Sequence, residues 1–204
     1  IIVDSGLVLE NGKACKRAYS LLGGDAEQGR FQLAVKRIPG GPGSSFVHEL
    51  GVGAGLRFSG PWGKFYPGNG VRGPTLLLAT DTGITATLGL VQSVGFEPLL
   101  RQAIFVWLRT TPDYFLPEAL VRDRVPANCG EIRIETLPPA LHPERIPHAR
   151  AVLADVLARA RLGQGFLSGD GAVNYALLDD LVAAGVPATK DNVESFFNMP
   201  KKSA

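Results

Sequence analysis

Pro74-Thr75-Leu76-Leu77-Leu78-Ala79-Thr80-Asp81-Thr82-Gly83-Ile84-Thr85-Ala86-Thr87-Leu88-Gly89-Leu90-Val91-Gln92 opens on an apolar run, breaks at small polar residues and a glycine, and resumes as an apolar stretch compatible with a helix. A short continuous apolar run suits a strand buried on both faces. The order is then strand, turn, helix. A turn of this kind aims the free N–H groups of a helix N-terminus at whatever anion lies above it, which makes the stretch a candidate nucleotide site. An ordinary strand-to-helix turn of an α/β domain has the same pattern.

Downstream, the rhythm repeats. Residues 75–79, 103–108, 131–136 and 165–168 read as strands. Residues 82–94 read as a helix stopped by Gly95, 148–162 as one stopped by Gly163, and 173–184 as one stopped by Gly185. Alternation of strands and helices implies a parallel sheet covered on both faces, with ligands beyond the carboxyl ends of its strands. Three of those ends are polar: Thr80-Asp81-Thr82-Gly83, Arg109-Thr110-Thr111-Pro112-Asp113 and Ser168-Gly169-Asp170-Gly171. Arg109 suits a clamp on phosphate or ribose, and equally a surface salt bridge, while Asp113 suits the cap of the next helix.

Upstream, residues 1–66 are β-rich. Ile1 to Val3 begins a strand, Glu10-Asn11-Gly12-Lys13 carries a hairpin turn signal, and the run to Leu22 returns. Residues 31–36 alternate at period two, the pattern of a half-covered sheet. The Pro- and Gly-rich stretch 39–45 precedes a helical turn at 46–50 that Ser44 or Ser45 can cap, again leaving backbone donors for an anion or simply closing a surface loop. Gly60-Pro61-Trp62-Gly63-Lys64-Phe65 is a tight turn leading back into a strand, and the breaker cluster 67–70 is the expected linker.

The chain has 204 residues, enough for one large core or two small ones. A net charge of +2 without blocks of like charge argues against nucleic acid, and no apolar run approaches a membrane span. Cys15 and Cys129 stand far apart, so neither a structural zinc nor a four-thiolate iron–sulfur cluster is expected, and no metal site. A cytoplasmic location is expected.

Taken in order, these pieces resemble the ferredoxin-NADP reductase superfamily of flavoprotein reductases. Arg17-Ala18-Tyr19-Ser20 matches the family's flavin motif. The Val35-Lys36 strand, the Gly-rich loop with Gly43, Ser44, Ser45 and His48, the Gly60-to-Phe65 turn and the Thr82-Gly83-Ile84 loop follow in order. Ser168-Gly169-Asp170 stands for the family's Cys-Gly-Pro, and Glu194-Ser195-Phe196-Phe197 for its C-terminal Glu-x-Phe ending. The resemblance implies two domains: an antiparallel β-barrel FAD-binding domain over residues 1–70, and an α/β parallel-sheet NAD(P)-binding domain over 71–204. Ile1-Ile2-Val3 reads as mid-strand, so the barrel's first strands are expected to lie outside this sequence.

The resemblance also implies FAD as cofactor and NADPH or NADH as co-substrate, with electrons passed to a one-electron redox protein such as a ferredoxin, a flavodoxin or an oxygenase component. Arg17 would neutralise the flavin pyrophosphate, with Ala18, Val35, Lys36, Gly43, Ser44 and Ser45 around it; Tyr19 would pack on the ring and Ser20 bond near N5. Thr82, Gly83, Arg109, Gly169 and Asp170 would meet the coenzyme. Ser168 and Glu194 would flank the hydride path, with Phe196 beside the flavin. Thr80 and Asp81 stand where the family has two glycines, Ala86 and Asp170 where it has prolines. A carboxylate ~4 Å from a pyrophosphate charge at an effective dielectric near 20 costs about 4 kcal/mol, so Asp81 is expected to turn away and cap its helix. The competing reading of the same departures is a flavin-binding electron-transfer or regulatory subunit with little or no NAD(P)H oxidation.

Overall fold

The computed structural model describes residues 1–25, 27–67 and 73–199, in two units, Ile1–Gly63 and Lys64–Ala204. Of the expected linker, Gly68, Asn69 and Gly70 lie outside the described residues.

The first unit is built on β1 (Ile2–Val8), flanked antiparallel by β2 (Ala14–Ala18), with β3 (Gly23–Asp25) and β4 (Arg30–Gln32) forming a separate hairpin. The turn between β1 and β2 is set by Gly12 at φ +75° and by Asn11, whose side chain accepts from the Lys13 N–H. Helix α1 (Pro42–Glu49) and strand β5 (Arg57–Ser59), on the other side of β1, complete the unit. The period-two run 31–36 gives only the three residues of β4. Beyond Gln32 its backbone finds side chains of α1 instead of a strand: His48 Nε2 lies 2.7 Å from the Val35 carbonyl, and the Ile38 N–H donates to Ser44 Oγ. Helix α1 begins at Pro42, earlier than expected. Its N-cap is Gly41, with proline opening the first turn and no side chain capping it, so Ser44 sits inside the helix and donates to the Gly41 carbonyl. Residues 60–65, expected to lead back into a strand, carry no regular structure.

The second unit is a five-stranded parallel sheet of β6 (Thr75–Thr80), β7 (Ala103–Arg109), β8 (Glu131–Thr136), β9 (Gln164–Asp170) and β10 (Val193–Phe197), in spatial order β10-β9-β6-β7-β8. Every residue of β6, β7 and β9 is buried, whereas the edge strands β8 and β10 are half-covered. Leu76, Leu78, Val106 and Leu167 pack on α4 (Arg145–Arg159) and α5 (Gly171–Ala183). Side chains alternate across a strand, so Ser168 turns to the other face, where it meets Thr87 of α2 (Ile84–Val91).

Three expectations change here. Helix α2 stops at Val91 rather than at Gly95, because the Gln92 and Ser93 side chains take the Leu88 and Leu90 carbonyls and a 3-10 segment, Val94–Gln102, follows. Helix α3 (Glu118–Arg124) starts after Pro117, five residues beyond Asp113, which caps nothing. Strand β10 was not foreseen as a strand: it is short and mixed in polarity, and its pairing with β9 decides it.

Candidate functional site

In the first unit the flavin-type motif and the Gly-rich loop meet. Arg17 and Ala18 lie at the exposed end of β2, with Arg17 opposite Val3, and Tyr19 and Ser20 follow half-buried. Gly43 is buried in the first turn of α1, and a Cβ there would stand 2.6 Å from Arg17 Cγ and 3.6 Å from the Tyr19 hydroxyl. Only a glycine lets that turn approach the arginine stem so closely. The Arg17 guanidinium is exposed and donates from Nη1 to the Lys16 carbonyl at 2.8 Å; a helix start without a side-chain cap, against the stem of an arginine, suits an anion. Burial pushes the Tyr19 phenol above its ordinary value, against the pull of the nearby Arg17 charge. Ser45 is half-buried in the same turn, and Val35 and Lys36 are half-buried in the segment held by His48.

In the second unit the strand order reverses between β6 and β9, so a crevice opens where the chain leaves β6 toward β7 and leaves β9 toward β10. The two loops there are in backbone contact. A Cβ on Gly83 would lie 2.3 Å from the Ser168 carbonyl oxygen, and one on Gly169, at φ +114°, 2.1 Å from that of Thr80. Thr80 Oγ1 accepts from the Asp170 N–H at 2.7 Å. Ser168 is wholly buried, its hydroxyl 2.8 Å from Thr87 Oγ1 and 3.0 Å from the Gly83 carbonyl. Glu194 stands in register with Ser168 on β10, half-buried, with Phe196 more exposed beyond it. Thr82 is the half-buried residue of an otherwise buried turn.

Asp81 is drawn into the interior and caps no helix. It is 2% exposed at φ +50°; Oδ1 accepts from the N–H and hydroxyl of Thr110, both at 2.8 Å, and Oδ2 from Arg145 Nη2 at 2.5 Å. Arg145 Nε donates to Asp170 Oδ2 at 2.8 Å and Nη1 to the Pro138 carbonyl. Asp170 is itself the N-cap of α5. Arg109 is buried: it donates to Glu118 at 2.5 Å and to the Pro112 carbonyl at 2.6 Å, and lies over the Trp107 ring. Glu118 is shared with Arg122, whose hydrogen bond, with the Arg109 charge, holds the carboxyl below the usual range.

Comparison with known proteins agrees with this layout. Residues 5–66 match the family model of the oxidoreductase FAD-binding domain. Ferredoxin–NADP reductase B of Sorangium cellulosum is 42% identical over 82 residues, 40% of this chain and 34% of that protein. The ferredoxin–NAD(P)(+) reductase component of the naphthalene 1,2-dioxygenase/salicylate 5-hydroxylase systems of a Ralstonia species is 38% identical over 81 residues, 38% of this chain and 24% of its own length. The matches thus span about a third or less of these relatives. Among solved structures, the ferredoxin reductase in carbazole 1,9a-dioxygenase superposes with a TM-score of 0.68 at 18% identity over 97% of this chain and 59% of that one. The FAD/NAD-binding domain of nitric oxide dioxygenase from Vibrio cholerae gives 0.64 at 16%, over 98% and 83%.

Residues 5–66 match the oxidoreductase FAD-binding domain, and nearly the whole chain shares the fold of a ferredoxin reductase.

Within that fold, an antiparallel unit precedes a parallel α/β unit, and the described residues include no helix long and apolar enough to cross a membrane. Arg145 escaped the sequence reading. Its partners lie 64 and 25 residues away, and the one hint is a cation in the first turn of a helix, where the dipole disfavours it.

Proposed function

We propose that this chain carries the flavin-binding and coenzyme-binding parts of an FAD-dependent NAD(P)H oxidoreductase that serves a one-electron acceptor: a ferredoxin, a flavodoxin or an oxygenase component. The observation that carries the reading is the uncapped first turn of α1 held against Arg17 and Tyr19. These residues fit FAD. Arg17, with the α1 turn at Gly43, Ser44 and Ser45, would hold the diphosphate; Tyr19, Ser20 and Ala18 would border the ring, and Val35 and Lys36 would line the approach. When bound, FAD would supply the redox chemistry between a two-electron donor, NAD(P)H, and a one-electron acceptor.

The chain's own work is binding, orientation and exclusion of water. Residues 1–70 form the flavin domain and residues 71–204 the coenzyme domain. Thr82, Gly83, Gly169 and Arg109 would bound the coenzyme, and Phe196 the flavin. Ser168, through its bonds to Thr87 and Gly83, fixes the loop that Thr82 tops, and Glu194 stands beside it for the reacting end. The two free thiols, Cys15 and Cys129, suit a reducing, cytoplasmic setting.

A second reading is favoured by one observation, the Asp81–Arg145–Asp170 cluster in the crevice. On it, the chain binds flavin and transfers electrons but oxidises NAD(P)H slowly or not at all. Anaerobic stopped-flow mixing of the FAD-loaded chain with NADH and with NADPH separates the two. Bleaching faster than that of free FAD by the same coenzyme supports the reductase; a bound flavin bleached no faster than free FAD by either supports the second reading.

A further inference from the structure

At the carboxyl ends of the strands, two sets of donors already hold a carboxylate of the chain. At the start of α5, Asp170 Oδ1 accepts from Ala172 N–H at 3.0 Å, from Val173 N–H at 3.4 Å and from Asn198 Nδ2 at 2.9 Å. At the end of β7, Asp81 Oδ1 accepts from the Thr110 N–H and hydroxyl. The remaining oxygen of each carboxylate goes to one guanidinium, that of Arg145. Side chains of all three are at most 3% exposed.

We infer that Asp170 and Asp81, with Arg145 as shared counter-ion, close two of this unit's anion seats to a dinucleotide diphosphate: the N–H groups at the start of α5 and at the end of β7. Any diphosphate bound by this unit lies outside the N–H groups of Ala172, Val173 and Thr110. Three observations support this. The helix that starts at Asp170 has 13 residues, so its N-terminal partial charge is fully developed, and Asp170 neutralises it. Two carboxylates against one guanidinium leave the cluster formally one charge negative, which repels a further anion. The close approach of Gly83 to Ser168 and of Gly169 to Thr80 leaves no gap between the loops for a phosphate to enter. The inference concerns the coenzyme site of the function proposed above, but it rests on this geometry alone.

The test is titration of the full, FAD-loaded chain, labelled with nitrogen-15, by inorganic pyrophosphate and by ADP-ribose, with Asp170→Asn and Asp81→Asn beside it. Asparagine keeps the cap and the side-chain oxygen while removing one charge. The wild-type amide signals of Ala172, Val173 and Thr110 are expected to stay in place with both probes. Each Asn variant is expected to bind pyrophosphate at least about tenfold more tightly, the order of effect expected when one nearby, partly screened charge is removed. Saturable shifts of those three amides in the wild-type chain overturn the inference, as does a natively folded Asn variant with no gain. If a variant does not fold, the wild-type titration decides alone. ADP-ribose shifting other residues only supports both this inference and the NAD(P)H reading. ADP-ribose binding nowhere supports the inference and removes that reading.

Discussion

Arg145 is 2% exposed and holds two carboxylates that are no more exposed than itself, so the three charges stand or fall together. Replacing one member of such a cluster strands the others without water. Arg145→Met is expected to lower stability by about 3–5 kcal/mol, read by urea denaturation, and a loss below about 1 kcal/mol would mean that the carboxylates find other partners. Gly169→Ala combines a left-handed backbone with a Cβ 2.1 Å from the Thr80 carbonyl oxygen. It is expected to be worse tolerated than Gly95→Ala, which meets nothing within 4 Å, and paired thermal melts compare the two. Tyr19 gives a pH signature. Its phenol is raised by burial in the folded chain, so the stability linked to it is complete below the unfolded value near 10 and is lost as pH rises through the folded value. Flavin-free wild type should therefore lose stability more steeply than Tyr19→Phe above about pH 10; equal slopes in denaturation midpoints against pH would contradict this.

At the scale of elements, burial explains what the sequence made legible. Strands β6, β7 and β9 are apolar through their length and covered on both faces, so they were readable without any partner in view. Leu78, at 0% exposure in the core shared by α4 and α5, tests that packing: Leu78→Ala is expected to cost about 2–5 kcal/mol in the same urea assay, and a surface-like cost below 1 kcal/mol would contradict the core assignment. Residues 31–36 show the opposite case. Their alternation is strand-like, but past Gln32 the Val35 carbonyl meets the His48 side chain of α1, and no local pattern reports the lack of a neighbouring strand. The α1 start was misplaced because Ser44 looks like a cap, whereas Pro42 fits the first turn better and Gly41 can lead into it. Arg145 was illegible for a third reason: its meaning lies wholly in contacts across the fold, with Asp81 and Asp170.

For the whole molecule, the two units divide the work by the kind of anion seat each presents. In the first, the α1 turn has no side-chain cap and lies against Arg17. In the second, the N–H groups at the start of α5 and at the end of β7 are taken by Asp170 and Asp81. Flavin affinity should therefore reside in residues 1–63 and depend on Arg17. The most direct measurement is a fluorescence titration of FAD with the wild-type chain and with Arg17→Ala. The account predicts saturable quenching by wild type and affinity at least about tenfold weaker for the variant, the scale of one charge-assisted hydrogen bond. Equal affinity for the two proteins, or no saturable binding to wild type, would contradict it.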